Sequence, residues 1–347
     1  MHTSHSGRLA AMGQNAWQAV SVCRSELMGV AMLWVMLFHA YQFHFHNPLL
    51  EVIKMFGYLG VDIFILLSGM GLGKSLLEKE QGPLRTFYLR RFQRILPTYW
   101  LIVGPYSLLL VLLSRIPLST AVWNLTALHY WFHIPGSFNW YVPALLAFYL
   151  LAPFYVKFFA RSKYKRLLSI STLFVSYALY RLCLFLNFQY LEDFIFRIPA
   201  FALGVLLGWF LVTKQPATKR DAAWVSAMAL VGVVLMVLLA TRTLYTHPCY
   251  IFSLMIVLIC VVLAALLSLC KGTLLCRGLA AIGQRSFEIY LINVLVTREF
   301  SGLVAHLGLS SLPVWAAYAV LYVLNLTAAF VLHALVSRLH LTAPKSH

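Results

Sequence analysis

Residues 249–270 read CYIFSLMIVLICVVLAALLSLC, and residues 222–242 read AAWVSAMALVGVVLMVLLATR, with no charged side chain before Arg242. A helix of about 20 apolar residues crosses the hydrocarbon core of a bilayer, and both stretches meet that length. Neither shows the alternating ten-residue pattern of a membrane barrel strand. Working outward, the same character fills the chain. Of 347 residues, 61% are hydrophobic and 11% charged, against roughly 45–50% and 25% in an average globular domain. The mean hydropathy is +0.82. Lipid offers no hydrogen bonds, so segments this apolar must satisfy their own backbone as helices. A soluble multidomain enzyme is excluded, and an all-α integral membrane protein is expected.

The 27 Lys and Arg outnumber the 10 Asp and Glu. Such an excess can mark nucleic-acid binding, but in a polytopic membrane protein basic residues collect in cytoplasmic loops facing anionic lipid, so no nucleic-acid partner is expected. The six cysteines have no C-x-x-C spacing and several sit inside apolar runs, reading as small packing residues with neither a disulfide framework nor a metal site. The first 22 residues lack the apolar core and small-residue site of a cleaved signal peptide, so the first hydrophobic helix is expected to remain as an anchor.

Apolar runs predict about ten transmembrane helices, near 26–46, 55–74, 95–114, 138–156, 166–187, 194–213, 222–242, 249–270, 286–307 and 313–336. Residues 121–135, rich in aromatics, are expected to form an outer re-entrant or interfacial segment. The alternate loops 74–94, 157–166, 214–220 and 271–285 hold seventeen Lys and Arg, whereas the other loops and helix margins hold six, Lys54, Arg115, Arg181, Arg197, Arg242 and Arg298. The positive-inside rule then places both termini in the cytoplasm. The expected organisation is an N-terminal cytoplasmic segment (1–25), one polytopic membrane domain (26–336) and a C-terminal cytoplasmic tail (337–347).

Ionisable groups inside a bilayer cost about 2.5–3.5 kcal/mol on insertion scales, so each is a functional candidate. His39, Asp62, Glu288, Arg298 and Glu299 qualify. On helices running in opposite directions, His39 and Asp62 can share a depth in the outer half of the bilayer. A carboxylate that accepts a hydrogen bond from one imidazole nitrogen fixes the tautomer and leaves the other nitrogen as a base toward an alcohol. A histidine hydrogen-bonded for structure alone is the plainer reading of the same residue. In FYLRRFQRILPTYW (87–100), Arg91 and Arg94 share a helical face, and their forked donors suit phosphate oxygens. Ordinary cytoplasmic anchoring also accounts for them.

Six collinear blocks give these candidates a context: MLWVMLFH (32–39), GVDIFILLSGMGLG (60–73), FYLRRFQRILPTYW (87–100), NWYVPALLAFYLLAP (139–153), RIPAFALGVLLG (197–208) and IGQRSFEIYLI (282–292). Together they resemble the membrane-bound acyltransferase-3 family over nearly the whole chain. The resemblance implies transfer of an acyl group, commonly acetyl, from cytosolic acyl-CoA to a hydroxyl of a sugar or glycan, often across the membrane. It implies His39 as the catalytic histidine, Arg91 and Arg94 as the R-x-x-R pair for the CoA donor, and Glu288 as the acidic residue some members carry near the start of helix 9. Two positions depart from the pattern. Family members usually carry Arg or Lys ten or eleven residues before the histidine, where this chain has Gly29 and Met28. Arg24, one helical turn below Met28, could snorkel toward the same place and join the donor site. The frequent histidine of the helix 9 block is replaced by Asn293.

In the resulting reading Asp62 orients or charge-balances His39, Arg197 lines the acceptor side, and Trp140 and Tyr141 offer rings to a sugar. Belt residues at a membrane face are the commoner use of such rings. Acyl-CoA enters as co-substrate, with no bound cofactor and no metal; His129, His133, His44 and His46 are too weakly patterned to imply one. The partners expected are acyl-CoA, a carbohydrate acceptor and membrane lipids, and a homo-oligomer stays open. A transporter or flippase of a lipid-linked sugar, or a family member that lost catalysis, are the competing functions. A transporter lacks support from any hydropathy repeat or paired broken helices.

Overall fold

The computed structural model describes residues 16–78, 83–136, 138–243 and 247–338. Among them every regular element is helical: α1 (Ala16–Val22), α2 (Arg24–Phe38), α3 (Pro48–Met55), α4 (Gly60–Glu78), α5 (Leu84–Leu112), α6 (Leu118–Thr126), α7 (Tyr141–Arg161), α8 (Lys165–Phe185), α9 (Glu192–Ile195), α10 (Ile198–Val212), α11 (Lys219–Ala240), α12 (Pro248–Leu269), α13 (Leu274–Gln284), α14 (Ser286–Arg298), α15 (Phe300–His306) and α16 (Val314–Arg338), with short 3-10 turns between some of them. Among the described residues, seven helical segments are long and apolar enough to cross a membrane: α5, α7, α8, residues 189–212, α11, α12 and α16. Two bent pairs, α1 with α2 and α13 with α14, raise the number to as many as nine if each pair is one span. The chain is a multi-pass helical membrane protein.

Several boundaries differ from the sequence expectation. The span predicted over 26–46 stops at Phe38, and a new helix begins at Pro48, capped by Asn47, whose Oδ1 accepts from the N–H groups of Leu49 and Leu50 at 2.9 and 3.2 Å. Residues 16–22, expected to be part of a cytoplasmic segment, form a helix that buries Trp17 and Val20, with the Trp17 ring stacked on Phe210 at 5.1 Å. The predicted 286–307 span breaks at Glu299. The helix that enters 121–135, α6, begins at Leu118 and has nine residues, about 13 Å, which is too short to cross. Residues 1–15 and 339–347, which include most of both expected tails, lie outside the described residues.

The helices gather into two compact units, interleaved in sequence: residues 1–31, 59–81 and 151–283 in the first, and 32–58, 82–150 and 284–347 in the second. The first unit is centred on α4 and α10, which lie parallel with their backbones in near contact. A Cβ on Gly204 would sit 2.1 Å from the Leu66 carbonyl oxygen, one on Gly69 2.4 Å from that of Phe201, and one on Gly208 2.6 Å from that of Met70. Without a hydrophobic drive between helices in lipid, packing of this closeness at small residues is what holds such a pair together. α10 is apolar all round and mostly buried, and α4 is buried over most of 60–73, as a central pair should be. A second close crossing joins the N-terminal half of α2 to α13, where a Cβ on Gly29 would lie 2.1 Å from the Leu279 oxygen and one on Gly283 1.8 Å from that of Ser25.

The second unit is built on α14 against α16, with Ala40, Val296, Phe300, Ala317, Tyr318 and Leu321 as its core and the rings of Phe300 and Tyr318 stacked at 4.2 Å. Its α3 is amphipathic: Leu49, Leu50, Val52, Ile53 and Met55 are exposed, whereas Lys54 is buried, its ammonium donating to the Phe43 carbonyl and to Glu51. An exposed apolar face on an eight-residue helix suits a membrane interface. Glu51 organises the preceding loop, accepting from the Phe45 N–H at 2.8 Å and from His44 at 3.0 Å. These donors, the Phe45 N–H first, then His44 and Lys54, hold its carboxyl down at about 2.

Two predictions follow from this packing. Gly204→Ala should cost about 1–3 kcal/mol or more through forced separation of α4 and α10, read as a lowered Tm in detergent, while Gly278→Ala, whose Cβ meets nothing within 4 Å, should leave Tm unchanged or higher. Equal Tm for both variants would refute the close crossing. Because the Glu51 pKa is depressed on folding, its contribution is complete above its ordinary 4.5 and disappears as pH falls through about 2. Glu51→Gln should therefore lower Tm at pH 7, and the gap to wild type should close between pH 4.5 and 2. A gap that ignores pH would mean the loss is steric.

Candidate active site

His39 follows the last residue of α2, in the second unit, half-buried with its ring 5.2 Å from Phe38 and 5.7 Å from Tyr41. Its Nδ1 donates to the carbonyl oxygen of Val35 at 2.8 Å. That bond sets the tautomer with the proton on Nδ1 and the lone pair on Nε2. This hold on the ring comes from the backbone of the same helix, four residues earlier. The Val35 carbonyl also accepts from the His39 backbone N–H at 3.2 Å, so one oxygen holds both the backbone and the ring of this residue.

Glu288, in the first turn of α14, is buried, and its Oε1 accepts from Nδ1 of His333 on α16 at 2.7 Å. Sequence reasoning missed His333: it lies 45 positions away, and only the packing of α14 on α16 brings the two together. Beside them Arg285 places its guanidinium 4.2 Å from the centre of the Phe330 ring. Asn293, where the family pattern often has histidine, is fully buried, and among the described residues its side-chain amide has no hydrogen-bond partner. A buried amide left unpaired costs about 1–3 kcal/mol, so this position has not been settled for stability alone.

Arg91 and Arg94 lie within continuous α5 and share a face as expected. Arg91 is half-buried, its guanidinium over Phe87 at 5.4 Å and Tyr149 at 6.0 Å, whereas Arg94 is exposed with no acidic partner among the described residues. The helix has 29 residues, about 43 Å against a hydrocarbon core of about 30 Å, so its arginine-bearing start extends toward the headgroups. Trp140 is half-buried; Tyr141 is buried, its ring edge-on to Tyr290 at 4.8 Å. Of the other ionisable groups singled out, Glu299 is answered by the Tyr106 hydroxyl at 2.8 Å and by Arg115 at 3.2 Å, and Arg298 lies 5.9 Å from the centre of the Phe138 ring. His129 is buried, its Nε2 donating to the Asn139 carbonyl oxygen, and burial lowers its pKa.

The first unit holds Asp62, Arg197 and Arg24. Asp62 is fully buried in the first turn of α4, and among the described residues neither carboxylate oxygen has a hydrogen-bond partner. The positive charge of Arg197 acts on it. Arg197, 2% exposed, precedes α10 and donates to the carbonyl oxygen and the Oδ1 of Asp193, both at 3.0 Å. Beside this charge His247, which stacks on Phe196 at 4.0 Å, is pushed down to about 4 by burial and by Arg197, so it stays neutral at pH 7. Arg24 donates from Nε to the Leu67 carbonyl at 3.4 Å, next to the open space that Gly71 leaves. It therefore lies against α4. Gly29 has no room for a side chain beside Leu279, so of the two positions where the family usually has a basic residue only the half-buried Met28 could accept one.

A family model described as an acyltransferase domain, Acyl_transf_3, matches residues 27–334. No curated protein and no solved structure matches significantly. With nearly the whole chain covered, the protein belongs to this family: it is a membrane acyltransferase, a transferase of acyl groups other than aminoacyl groups.

The Glu288–His333 hydrogen bond carries a direct test. Glu288→Gln and His333→Ala should each lower Tm, and the double variant should lose less than the two losses added, by a coupling of about 0.5–3 kcal/mol. Strict additivity would show that the two side chains do not meet.

Proposed function

We propose that the protein transfers an acyl group, acetyl in the simplest case, from acyl-CoA to a hydroxyl of a cell-surface sugar or glycan. The observation that carries this reading is the locked imidazole of His39, whose Nδ1 is held by Val35 so that Nε2 is the nitrogen available as a base. Nε2 removes the proton of the acceptor hydroxyl as its oxygen attacks the thioester carbonyl. The C–S bond breaks, and the imidazolium returns the proton to the departing thiolate, leaving an ester and CoA thiol.

Arg91 and Arg94 are assigned to the phosphates of the donor, with Arg24 supplying the further positive charge that neither Met28 nor Gly29 carries. Asp62 is assigned to charge balance in the reacting centre and Glu288 to a supporting acidic role through His333. Arg197 and Trp140, with Tyr141 behind it, are placed on the acceptor side. In this reading α4 also crosses the membrane, which with the seven single helices and the two bent pairs makes ten spans, and the loop charges put both termini in the cytoplasm of a plasma or inner membrane. Acyl-CoA is a co-substrate, and no resident cofactor or metal enters the scheme.

The test is incubation of purified protein with radiolabelled acetyl-CoA and a panel of glycans. Transfer should fall by about 10²–10⁴ in His39→Ala with Tm near wild type. Arg91→Ala and Arg94→Ala should raise KM for acyl-CoA more than they lower kcat, because contacts remote from the thioester bind ground and transition states alike. Activity of His39→Ala in proportion to folded protein would remove His39 from the chemistry.

A further inference from the structure

The first unit contains a cavity of about 370 Å³ between α8, α10, α11 and α12, within the range of about 300–1000 Å³ typical of ligand pockets. Its floor is Leu203, Leu207, Leu254 and Val257, with Ile170 and Met228 on the walls. Its rim is basic, with Lys163, Lys165, Arg166 and Arg220 against the single carboxylate of Asp221. Asp221 is already committed: it pairs with Arg166 at 2.7 Å and closes a capping box with Thr218 at the start of α11. Lys165 is turned inward, donating to the Ser162 and Ala160 carbonyls at 2.7 and 3.2 Å, 5.5 Å from the Trp209 ring centre. Lys163 and Arg220 remain exposed at the rim, without an acidic partner among the described residues.

Topology anchoring explains basic residues in a loop but not why they rim an apolar hollow. The shape matches an amphiphile with an anionic head and a hydrocarbon tail. A small soluble anion would leave the leucine floor wet, and a neutral lipid would leave the cationic rim unanswered. The helices flanking the opening, α8 and α11, are the least buried of the spanning helices, at 17% and 11% of their windows, so the hollow faces the lipid side. Trp17, Trp209 and Trp224 stand around it, as tryptophans do at headgroup depth. Arg91 and Arg94 do not line it.

We propose that this cavity binds an anionic glycerophospholipid of the adjoining leaflet, its phosphate between Lys163 and Arg220 and one acyl chain on the Leu203–Leu207 floor. None of the residues assigned to acyl transfer lines the cavity, and the proposal stands whether or not the assignment of those residues does.

Native mass spectrometry and thermal shift of the full-length detergent-solubilised protein test it, titrating phosphatidylglycerol, phosphatidylcholine, CoA and inorganic phosphate separately. One phosphatidylglycerol should be retained per chain with a raised Tm, and phosphatidylcholine should bind far more weakly. The surface double variant Lys163→Gln/Arg220→Gln should lose on the order of tenfold to thirtyfold in phosphatidylglycerol affinity. Met228→Trp, which fills the hollow from the lipid-facing helix, should lose retention while keeping the charges. Equal retention of both lipids, or undiminished phosphatidylglycerol binding in both variants, would overturn the proposal. So would displacement of the bound lipid by CoA, which would make the hollow a donor site, or by phosphate alone, which would make it a simple anion site.

Discussion

The contact on which the rest depends is the glycine-lined crossing of α4 and α10. Gly69 and Gly73 on one helix and Gly204 and Gly208 on the other let carbonyl oxygens approach where any side chain would collide. In lipid, such close approach is a principal source of attraction between helices. Because the two helices run parallel, their N-terminal ends lie together, and so do the residues there. Asp62 sits in the first turn of α4, where the helix dipole favours a negative charge. Arg197 sits just ahead of α10, where the same dipole disfavours its positive charge, and Asp193 and Asp62 compensate. The buried charges and the close packing are thus one arrangement.

Other ionisable groups are answered by specific pairings. Glu288 is met by His333, and Glu299 by Tyr106 and Arg115, each across distant segments, whereas Lys54 is met locally by Glu51 and the Phe43 carbonyl. Asp62 is an exception, and the neutral amide of Asn293 is likewise short of partners: among the described residues their side-chain oxygens lack hydrogen-bond partners. Fully satisfied networks serve the fold, whereas buried groups left short of partners are where chemistry with a substrate is to be sought.

The departures from the family pattern also have a packing basis. Position 29 is glycine because α13 passes directly over it, with Gly283 returning the contact at Ser25. A basic side chain there would have to push the two helices apart. Arg24 enters the same unit from one turn earlier and reaches the backbone of α4 at Leu67, in the space beside Gly71.

The class, the all-helical character and most of the spans are legible in the amino-acid sequence, because hydrocarbon allows only self-satisfied helices and the apolar runs are long and uninterrupted. It also singled out His39, Asp62, Arg91, Arg94 and Glu288, since charged or titratable residues stand out against such a background. It misplaced the end of α2, where His39 and its neighbours remain apolar enough to mimic a continuing helix, and it overlooked α1, too short to register as a span. The pairing of distant groups was settled by the folded chain: His333 for Glu288 and the basic rim over the leucine-floored hollow depend on helix crossings, whereas Val35 for His39 Nδ1 and Asp193 for Arg197 are local contacts four residues apart. Helix period fixes which residues share a face, but the partner of that face is chosen by steric fit between distant segments, which no local pattern encodes.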